Sequence, residues 1–289
     1  MDPMTRRQAL GAGTAALLAG VGGSAASADA QTGRAVTKGR LKQSVSRWCF
    51  AKIPMPEFCK AVAGMGLAGI DLLGEKDWPI VRDHGLLCTM GSGAGGSIRD
   101  GLNVKANHDG IVAAMERTIP RAKAMQVPNV ITFFGNRMGM SDQEATANCI
   151  EGLNRIKGVA EENGVTICVE LLNSKVDHPD YQGDRSRFGV EIVKAVGSPR
   201  VKLLYDIYHM QIMEGDLIRT IRDNFQYFAH FHTGGVPGRH ELDDTQEVNW
   251  RTVATAIADL KFEGYFAHEF VPSRDPLPSL REAVVLCDV

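Results

Sequence analysis

The sequence predicts an α/β fold, a single-domain (β/α)8 TIM barrel, and three observations support this fold class. The chain has 289 residues and is 44% hydrophobic, which is enough apolar material for one large core or two small ones. From residue 41 onward, eight short apolar, β-rich runs alternate with longer amphipathic stretches. Gly precedes several of these runs, where a preceding helix would need its capping residue. Eight strand–helix repeats in about 250 residues match a barrel in size and count.

The predicted strands are nearly continuous in apolar or β-branched residues, which is typical of strands covered on both faces. They are residues 43–50, 69–73, 85–90, 129–134, 166–172, 201–207, 227–232 and 265–270. The amphipathic stretches between them predict helices that include 103–125, 141–163, 190–196 and 250–260. A doubly wound open sheet is the alternative, but no G-x-G-x-x-G motif follows the first strand. The glycine-rich run 91–96 follows the third strand and favours a flexible βα loop.

The amino-terminal segment has the pattern of an export signal and not of a folded element. Arg6 and Arg7 precede a weakly hydrophobic, glycine-rich stretch, and A-x-A sequences within 26–30 offer cleavage sites. Because paired arginines of this kind resemble a twin-arginine signal, we expect export to the periplasm. The apolar stretch is too short to be a stable membrane anchor. The predicted organisation is an export signal at 1–30, a flexible lead-in at 31–40 and the barrel at 41–289.

Charge and cysteine usage exclude several classes of protein. Lys and Arg number 32 against 34 for Asp and Glu, so the net charge is −2 and no basic excess is available for nucleic acid. The six cysteines include no CxxC pair, which favours buried reduced thiols over a disulfide framework. The expected partner is therefore a small molecule, and a homo-oligomer is left open.

Four side chains of the kind that bind metals stand at the ends of the last four predicted strands. They are Glu170, Asp206, His232 and Glu269. In a barrel these strand ends meet at the catalytic face, and an isolated buried carboxylate is costly without a partner cation. Three carboxylates and one imidazole suit a divalent ion such as Mn²⁺, Mg²⁺ or Co²⁺. We expect His230 and His268, on the same strands, to point to the other side and to be structural.

Four segments carry a resemblance to a known family. They are ELLN at 170–173, YDIYHMQIMEGDL at 205–217, GRHE at 238–241 and GYFAHEF at 264–270. These segments resemble the hydroxypyruvate isomerase family of the xylose-isomerase-like TIM barrels, which is related to the ketose 3-epimerases. The resemblance implies that Glu170, Asp206, His232 and Glu269 bind the metal, and that the two Glu are also the catalytic acid and base. It further implies that His209 and Arg239 contact the substrate. Family isomerases commonly carry Gln where this chain has His232, whereas ketose epimerases carry His.

The chemistry that these residues predict is isomerisation by proton transfer through an enediolate. One Glu would remove a proton beside a carbonyl and the other would return it, while a divalent cation stabilises the developing charge. The first expectation for the substrate is a small hydroxy-carbonyl compound of the hydroxypyruvate or tartronate semialdehyde type.

Three other functions remain as alternatives. The first is a ketose 3-epimerase or a related sugar epimerase or dehydratase, which shares the metal and differs in the pocket. The second is a catalytically silent, exported sugar-binding barrel. The third, a multi-zinc DNA repair endonuclease, would need more histidines at strand ends and a basic face.

Overall fold

Eight parallel strands form a closed barrel in chain order in the computed structural model, which describes residues 33–289. Each strand pairs in parallel with the next, and β8 pairs with β1 to close the barrel. The strands are β1 Lys42–Ser46, β2 Gly69–Leu73, β3 Leu87–Gly91, β4 Asn129–Phe133, β5 Thr166–Leu171, β6 Val201–Asp206, β7 Phe228–Thr233 and β8 Tyr265–His268. The predicted (β/α)8 barrel is confirmed. The predicted export signal at 1–30 lies outside the described residues.

Helices connect the strands on the outside of the barrel. They are α1 Met55–Met65, α2 Trp78–Asp83, α3 His108–Ala124, α4 Asp142–Asn163, α5 Ser186–Val196, α6 Ile207–Met213, α7 Leu217–Asn224, α8 Trp250–Asp259 and α9 Pro276–Cys287. Within residues 33–289, no helix combines the length and the apolar character that crossing a membrane requires.

Local capping explains why the boundaries of α4 could be predicted within one residue. The Ser141 hydroxyl accepts a hydrogen bond from the Glu144 N–H at 3.2 Å, which satisfies one of the free N–H groups at the helix start. At the other end, Gly164 takes a left-handed conformation with φ of 69°, which a side chain would disfavour. Both signals are visible in the sequence.

The first predicted strand is too long. β1 ends at Ser46, and Trp48–Phe50 forms a short 3₁₀ turn in place of the predicted extension to residue 50. The Phe50 N–H donates to the Arg47 carbonyl at 3.1 Å, so backbone donors are used locally and not in the sheet. Trp48 therefore lies in the first loop of the catalytic face, where the active sites of such barrels are built.

Residues 33–40, within the predicted flexible lead-in, make defined contacts with the barrel. The Ala35 and Val36 N–H groups both donate to the Met65 carbonyl, at 2.9 and 3.0 Å. The Asp288 carboxylate accepts from the Thr37, Lys38 and Gly39 N–H groups at 2.7–2.8 Å. These hydrogen bonds attach residues 33–40 to the end of α1 and to the residue that follows α9.

The core fills the space between the strands and the helices, and a small apolar layer fills the interior of the barrel. The interior layer is Met90, Ile131, Cys168 and Leu204. All six cysteines are unpaired, and five of them are buried. The prediction of reduced, mostly buried thiols agrees with this arrangement.

A buried carboxylate holds the loop that follows β8. Glu241 is only 5% exposed, and it accepts hydrogen bonds from the Ser273 N–H at 2.9 Å and from the Ser273 and Ser279 hydroxyls at 2.7 and 2.9 Å. Burial would raise the pKa of Glu241, but these hydrogen bonds outweigh it and lower the pKa to about 2. Glu241 is therefore ionised and fully paired in the folded protein.

Replacing Glu241 by Gln should lower the free energy of unfolding at pH 7 by about 1–3 kcal/mol, because an amide cannot accept all of these hydrogen bonds. The pKa of Glu241 is lower in the folded protein, so its stabilisation is present above the unfolded pKa and is lost as the pH falls towards 2. Urea unfolding should thus show the gap between wild type and Glu241→Gln shrinking from pH 7 to pH 3.5. The exposed Glu247→Gln on the same loop is the control and should change little. An equal loss in both variants would contradict the role of Glu241.

Candidate active site

The four predicted metal ligands come together at the carboxyl ends of β5, β6, β7 and β8. Glu170, Asp206, His232 and Glu269 are all buried, and one potential ligand atom of each lies within 4.8 Å of the others. Parallel pairing places Asp206 and His232 side by side on β6 and β7, because the two residues are partners in the register of these strands. Glu269 directly follows β8, and its N–H donates to the Thr233 carbonyl at 3.0 Å. The convergence expected from the strand ends is therefore present, while the role of these residues as ligands remains a prediction.

His232 is the centre of this cluster. Its Nδ1 atom lies 2.6 Å from an oxygen of Glu269, 3.4 Å from one of Glu170 and 3.9 Å from one of Asp206. The short contact to Glu269 lacks the angle of a hydrogen bond, and Nδ1 has no hydrogen-bond partner among the described residues. A buried ring nitrogen that faces three carboxylates without a hydrogen bond fits a metal ligand.

The electrostatics of the cluster also favour a bound cation. Burial raises the pKa of Glu170 and of Asp206, because their negative charges are removed from water. Burial would also raise the pKa of Glu269, but His232 and Arg239 outweigh it and lower the pKa. Burial alone would lower the pKa of His232, yet Glu269 and Asp71 hold it well above its usual value. The carboxylates thus need a positive charge beside them. A protonated His232 supplies it, or a metal ion in place of that proton.

Arg239 contacts two of the predicted ligands directly. Its Nη2 atom donates to Asp206 at 2.6 Å and to Glu269 at 2.5 Å, and its Nε atom donates to the Glu269 carbonyl at 3.0 Å. Its guanidinium also lies over the rings of Tyr208 and Trp48, at 4.8 and 5.8 Å from their centroids. Arg239 was predicted to contact the substrate. It lines the cavity, but its charge is already paired with carboxylates of the site.

His209 follows Asp206 by less than one helical turn and also lines the cavity. Its Nδ1 atom accepts from the Asn173 N–H at 3.2 Å, and its Nε2 atom lies 2.6 Å from Arg239 Nη1. Burial and the Arg239 charge lower the pKa of His209 well below its usual value, so the ring is neutral. Its predicted hydrogen bond to substrate remains a prediction.

One cavity of about 430 Å³ opens onto the cluster. Its polar lining residues are Glu170, Glu269, His209, Arg239, Asp177 and His178. Its apolar lining residues include Leu72, Ile98, Ile131, Phe133 and Leu172. The glycine-rich run 91–96 was predicted as a βα loop; Gly91 ends β3, residues 92–96 are in the loop, and three of the loop glycines line the cavity.

Trp48 is a site residue that the sequence reasoning missed. Its Nε1–H donates to Glu269 Oε1 at 2.5 Å, and its side chain is 48% exposed at the edge of the cavity. An indole held between a carboxylate and solvent can orient the carboxylate and present an apolar ring to a substrate. Ending the first strand before the Arg-Trp pair would have placed Trp48 in a loop of the catalytic face.

The expectation for His230 was wrong. Side chains two residues apart lie on the same face of a strand, so His230 points into the barrel beside His232, with 5.1 Å between the ring centroids. Both rings contact Asp71, which is buried in β2. His268, adjacent in sequence to Glu269, points to the other side as expected and lies 2.7 Å from the Gln43 amide oxygen.

Comparison with known proteins places this arrangement in a family. The model of the xylose isomerase-like TIM barrel family matches residues 79–286. A candidate hydroxypyruvate isomerase of zebrafish is 27% identical over 55% of this chain, and the match spans only 59% of the zebrafish protein. Its mouse counterpart is 25% identical over 83% of this chain and 92% of the mouse protein. A 2-oxo-tetronate isomerase of Pectobacterium atrosepticum is 25% identical over 77% of this chain and 88% of its own.

Solved structures share the fold at lower sequence identity. A family 2 AP endonuclease from Brucella melitensis has a TM-score of 0.74 at 21% identity, covering 83% of this chain and 97% of its own. The 3-keto-D-glucoside 4-epimerase of E. coli has a TM-score of 0.71 at 17% identity, covering 86% and 98%. At these identities the likeness concerns the fold alone. The family match, in contrast, spans most of the barrel, and the chain belongs to the xylose isomerase-like TIM barrel family.

Proposed function

We propose that the protein is a metal-dependent isomerase or epimerase that moves a proton at a carbon beside the carbonyl of a small sugar-like substrate. The observation that carries this proposal is the cluster of Glu170, Asp206, His232 and Glu269 around one ring nitrogen without a hydrogen-bond partner, at the side of a cavity that opens to solvent. Relatives named as hydroxypyruvate and 2-oxo-tetronate isomerases support an isomerase. Relatives named as D-psicose 3-epimerases support sugar chemistry of the same type.

In the proposed mechanism, Glu170, Asp206, His232 and Glu269 hold the divalent ion. A bound divalent ion polarises a carbonyl and stabilises negative charge on its oxygen. Glu170 and Glu269 both border the cavity, and their environments push their pKa values in opposite directions. One carboxylate can then accept the proton while the other carboxyl returns it. Trp48 orients Glu269 through its N–H.

The charge of the cavity favours an uncharged sugar over a keto acid. With a divalent ion bound, the ion and Arg239 together balance the three carboxylates of the site, and Asp177 leaves the lining negative. Burial lowers the pKa of His178 and of His209, so neither ring supplies a positive charge. A substrate carboxylate would therefore find no cation among the lining residues that is not already paired.

The size of the cavity does not separate the two substrate classes, because about 430 Å³ admits a ketohexose as well as hydroxypyruvate. The charge argument is therefore what favours the second candidate from the sequence, a ketose epimerase or isomerase, over the hydroxypyruvate type.

A substrate panel tests this proposal. The Mn²⁺-loaded protein is assayed with hydroxypyruvate, tartronate semialdehyde, ketohexoses and inososes, and the products are identified by NMR. We expect turnover of at least one uncharged keto-sugar, with kcat/KM above that for either keto acid. A higher kcat/KM for hydroxypyruvate would contradict the charge argument. Metal binding without turnover of any class would instead support the silent sugar-binding barrel.

We also propose export to the periplasm, supported by the paired Arg6 and Arg7 and the cleavage-type sequence that follows. A reporter fused to residues 1–40 should be exported, and the double substitution of Arg6 and Arg7 by Lys should keep it in the cytoplasm. Export of both fusions to the same extent would contradict a twin-arginine route.

A further inference from the structure

A buried carboxylate lies behind the proposed metal site, inside the barrel. Asp71, in the middle of β2, is fully buried, and its Oδ2 atom lies 2.5 Å from His230 Nε2 and 3.2 Å from His232 Nε2. Its Oδ1 atom accepts from the Ser44 hydroxyl at 2.8 Å and from the Thr89 hydroxyl. Asp71 thus joins three neighbouring strands to β7, through a contact that crosses the interior of the barrel.

The directions of these hydrogen bonds follow from the arrangement of the donors around Asp71. Two hydroxyls donate to Oδ1, and two ring nitrogens converge on Oδ2, so both oxygens are placed to accept. In this arrangement each histidine presents an N–H at Nε2. For His232 this leaves Nδ1 as the one ring nitrogen that can bind a metal. Nδ1 is also the atom that faces Glu170, Asp206 and Glu269.

We propose that Asp71 is a positioning residue for the metal ligand His232, a role that rests on the metal-dependent function proposed above. It fixes the ring so that Nδ1 points at the three carboxylates, and its negative charge makes the imidazole a stronger ligand. Asp71 does not line the substrate cavity, and it makes no hydrogen bond to Glu170, Asp206 or Glu269. Its effect on the metal therefore passes through His232.

A second metal ion at Asp71, His230 and His232 is the competing interpretation, since these three also present ligand-type atoms close together. The 2.5 Å between His230 Nε2 and Asp71 Oδ2 is short even for a charge-assisted N–H···O hydrogen bond. Two ligand atoms bound to one zinc ion at about 2.0–2.1 Å lie roughly 3.3 Å apart in a tetrahedral site. The contact between Asp71 and His230 also has the geometry of a hydrogen bond, which the 2.6 Å contact between His232 Nδ1 and Glu269 does not have, and it therefore favours the hydrogen bond.

Two substitutions of Asp71 separate its charge from its hydrogen bonds. In Asp71→Asn, the Ser44 and Thr89 hydroxyls can turn and accept from the amide NH₂, so the amide oxygen can still face the two histidines. In Asp71→Ala, both the charge and the acceptor are lost. We expect the Kd for Mn²⁺, measured by titration calorimetry, to rise about 10–100-fold in Asp71→Ala and less in Asp71→Asn. Thr89→Val removes a donor from the other oxygen and is the matched control, with a Kd close to wild type.

The binding mode of His232 is a second readout, which does not depend on activity. In Zn²⁺-loaded wild-type protein, ¹⁵N spectra of the histidine rings should show His232 with a proton on Nε2 and the metal on Nδ1. Circular dichroism and thermal unfolding check that each variant is folded. If Asp71→Ala does not fold, the Kd for Mn²⁺ of Asp71→Asn and the ¹⁵N spectra of the wild-type protein still test the positioning role.

The outcomes are distinct. An unchanged Kd for Mn²⁺ in folded Asp71→Ala, metal bound through Nε2, or two ions per chain would overturn the positioning role and leave the proposed function in place. A wild-type protein that binds no Mn²⁺ would overturn the proposed function, and the inference with it.

Discussion

Replacing Glu269 by Gln should lower kcat by at least about 10²-fold at saturating Mn²⁺, and additional metal should not restore it. Gln keeps the shape of the side chain and one oxygen that can bind a metal, but it cannot take or return a proton. Glu170→Gln should behave in the same way, because both carboxyls border the cavity. Steady-state kinetics across a range of Mn²⁺ concentrations measures the effect.

The control for this prediction is Glu263→Gln. Glu263 is exposed and precedes β8, so it lies at the opposite end of the strand from Glu269. Its substitution should leave kcat and KM unchanged. Full activity of Glu269→Gln at high Mn²⁺ would show that Glu269 is only a ligand, and the two-carboxylate mechanism would then be wrong.

Replacing Asp206 by Asn should act mainly on metal affinity. Asp206 contributes an oxygen to the cluster and caps α6 by accepting from the His209 N–H at 3.2 Å, but it does not line the cavity. We expect the Mn²⁺ concentration for half-maximal activity to rise at least about 10-fold, with activity largely restored at excess Mn²⁺. Activity titrated against Mn²⁺ after chelator treatment checks this.

Asp177→Asn is the matched control for Asp206→Asn. Asp177 lines the same cavity but is not part of the ligand cluster, so its substitution should change KM and leave the Mn²⁺ requirement as in wild type. A loss of kcat in Asp206→Asn that excess Mn²⁺ does not reverse would contradict a ligand role for Asp206.

The fold was predictable because its signals are local. Glycine at helix ends and continuous apolar runs mark the strands and helices of a parallel barrel, and β2 was predicted with its observed bounds. The first and last strands were predicted too long. Trp48 and Glu269 belong to apolar runs in the sequence, but the backbone leaves the sheet before each of them to form the loops of the catalytic face.

The four candidate ligands were predictable because the barrel topology brings successive strand ends to one face. Asp71 was not found, since its partners His230 and His232 lie more than 150 positions along the chain, on a strand across the barrel. One signal existed, a carboxylate in the middle of the apolar run of β2. The pairing of Arg239 with Asp206 and Glu269 depends on loop geometry, which residue type and spacing do not encode.

Incorporation of solvent deuterium tests the proposed proton transfer most directly. Mn²⁺-loaded protein is incubated in deuterated water with the best substrate of the panel, and the product and recovered substrate are examined by NMR. We expect deuterium on the carbon beside the carbonyl, and none on the same time scale with Glu170→Gln or Glu269→Gln. Complete turnover by the wild-type protein with no deuterium at that carbon would contradict proton exchange through these two carboxylates.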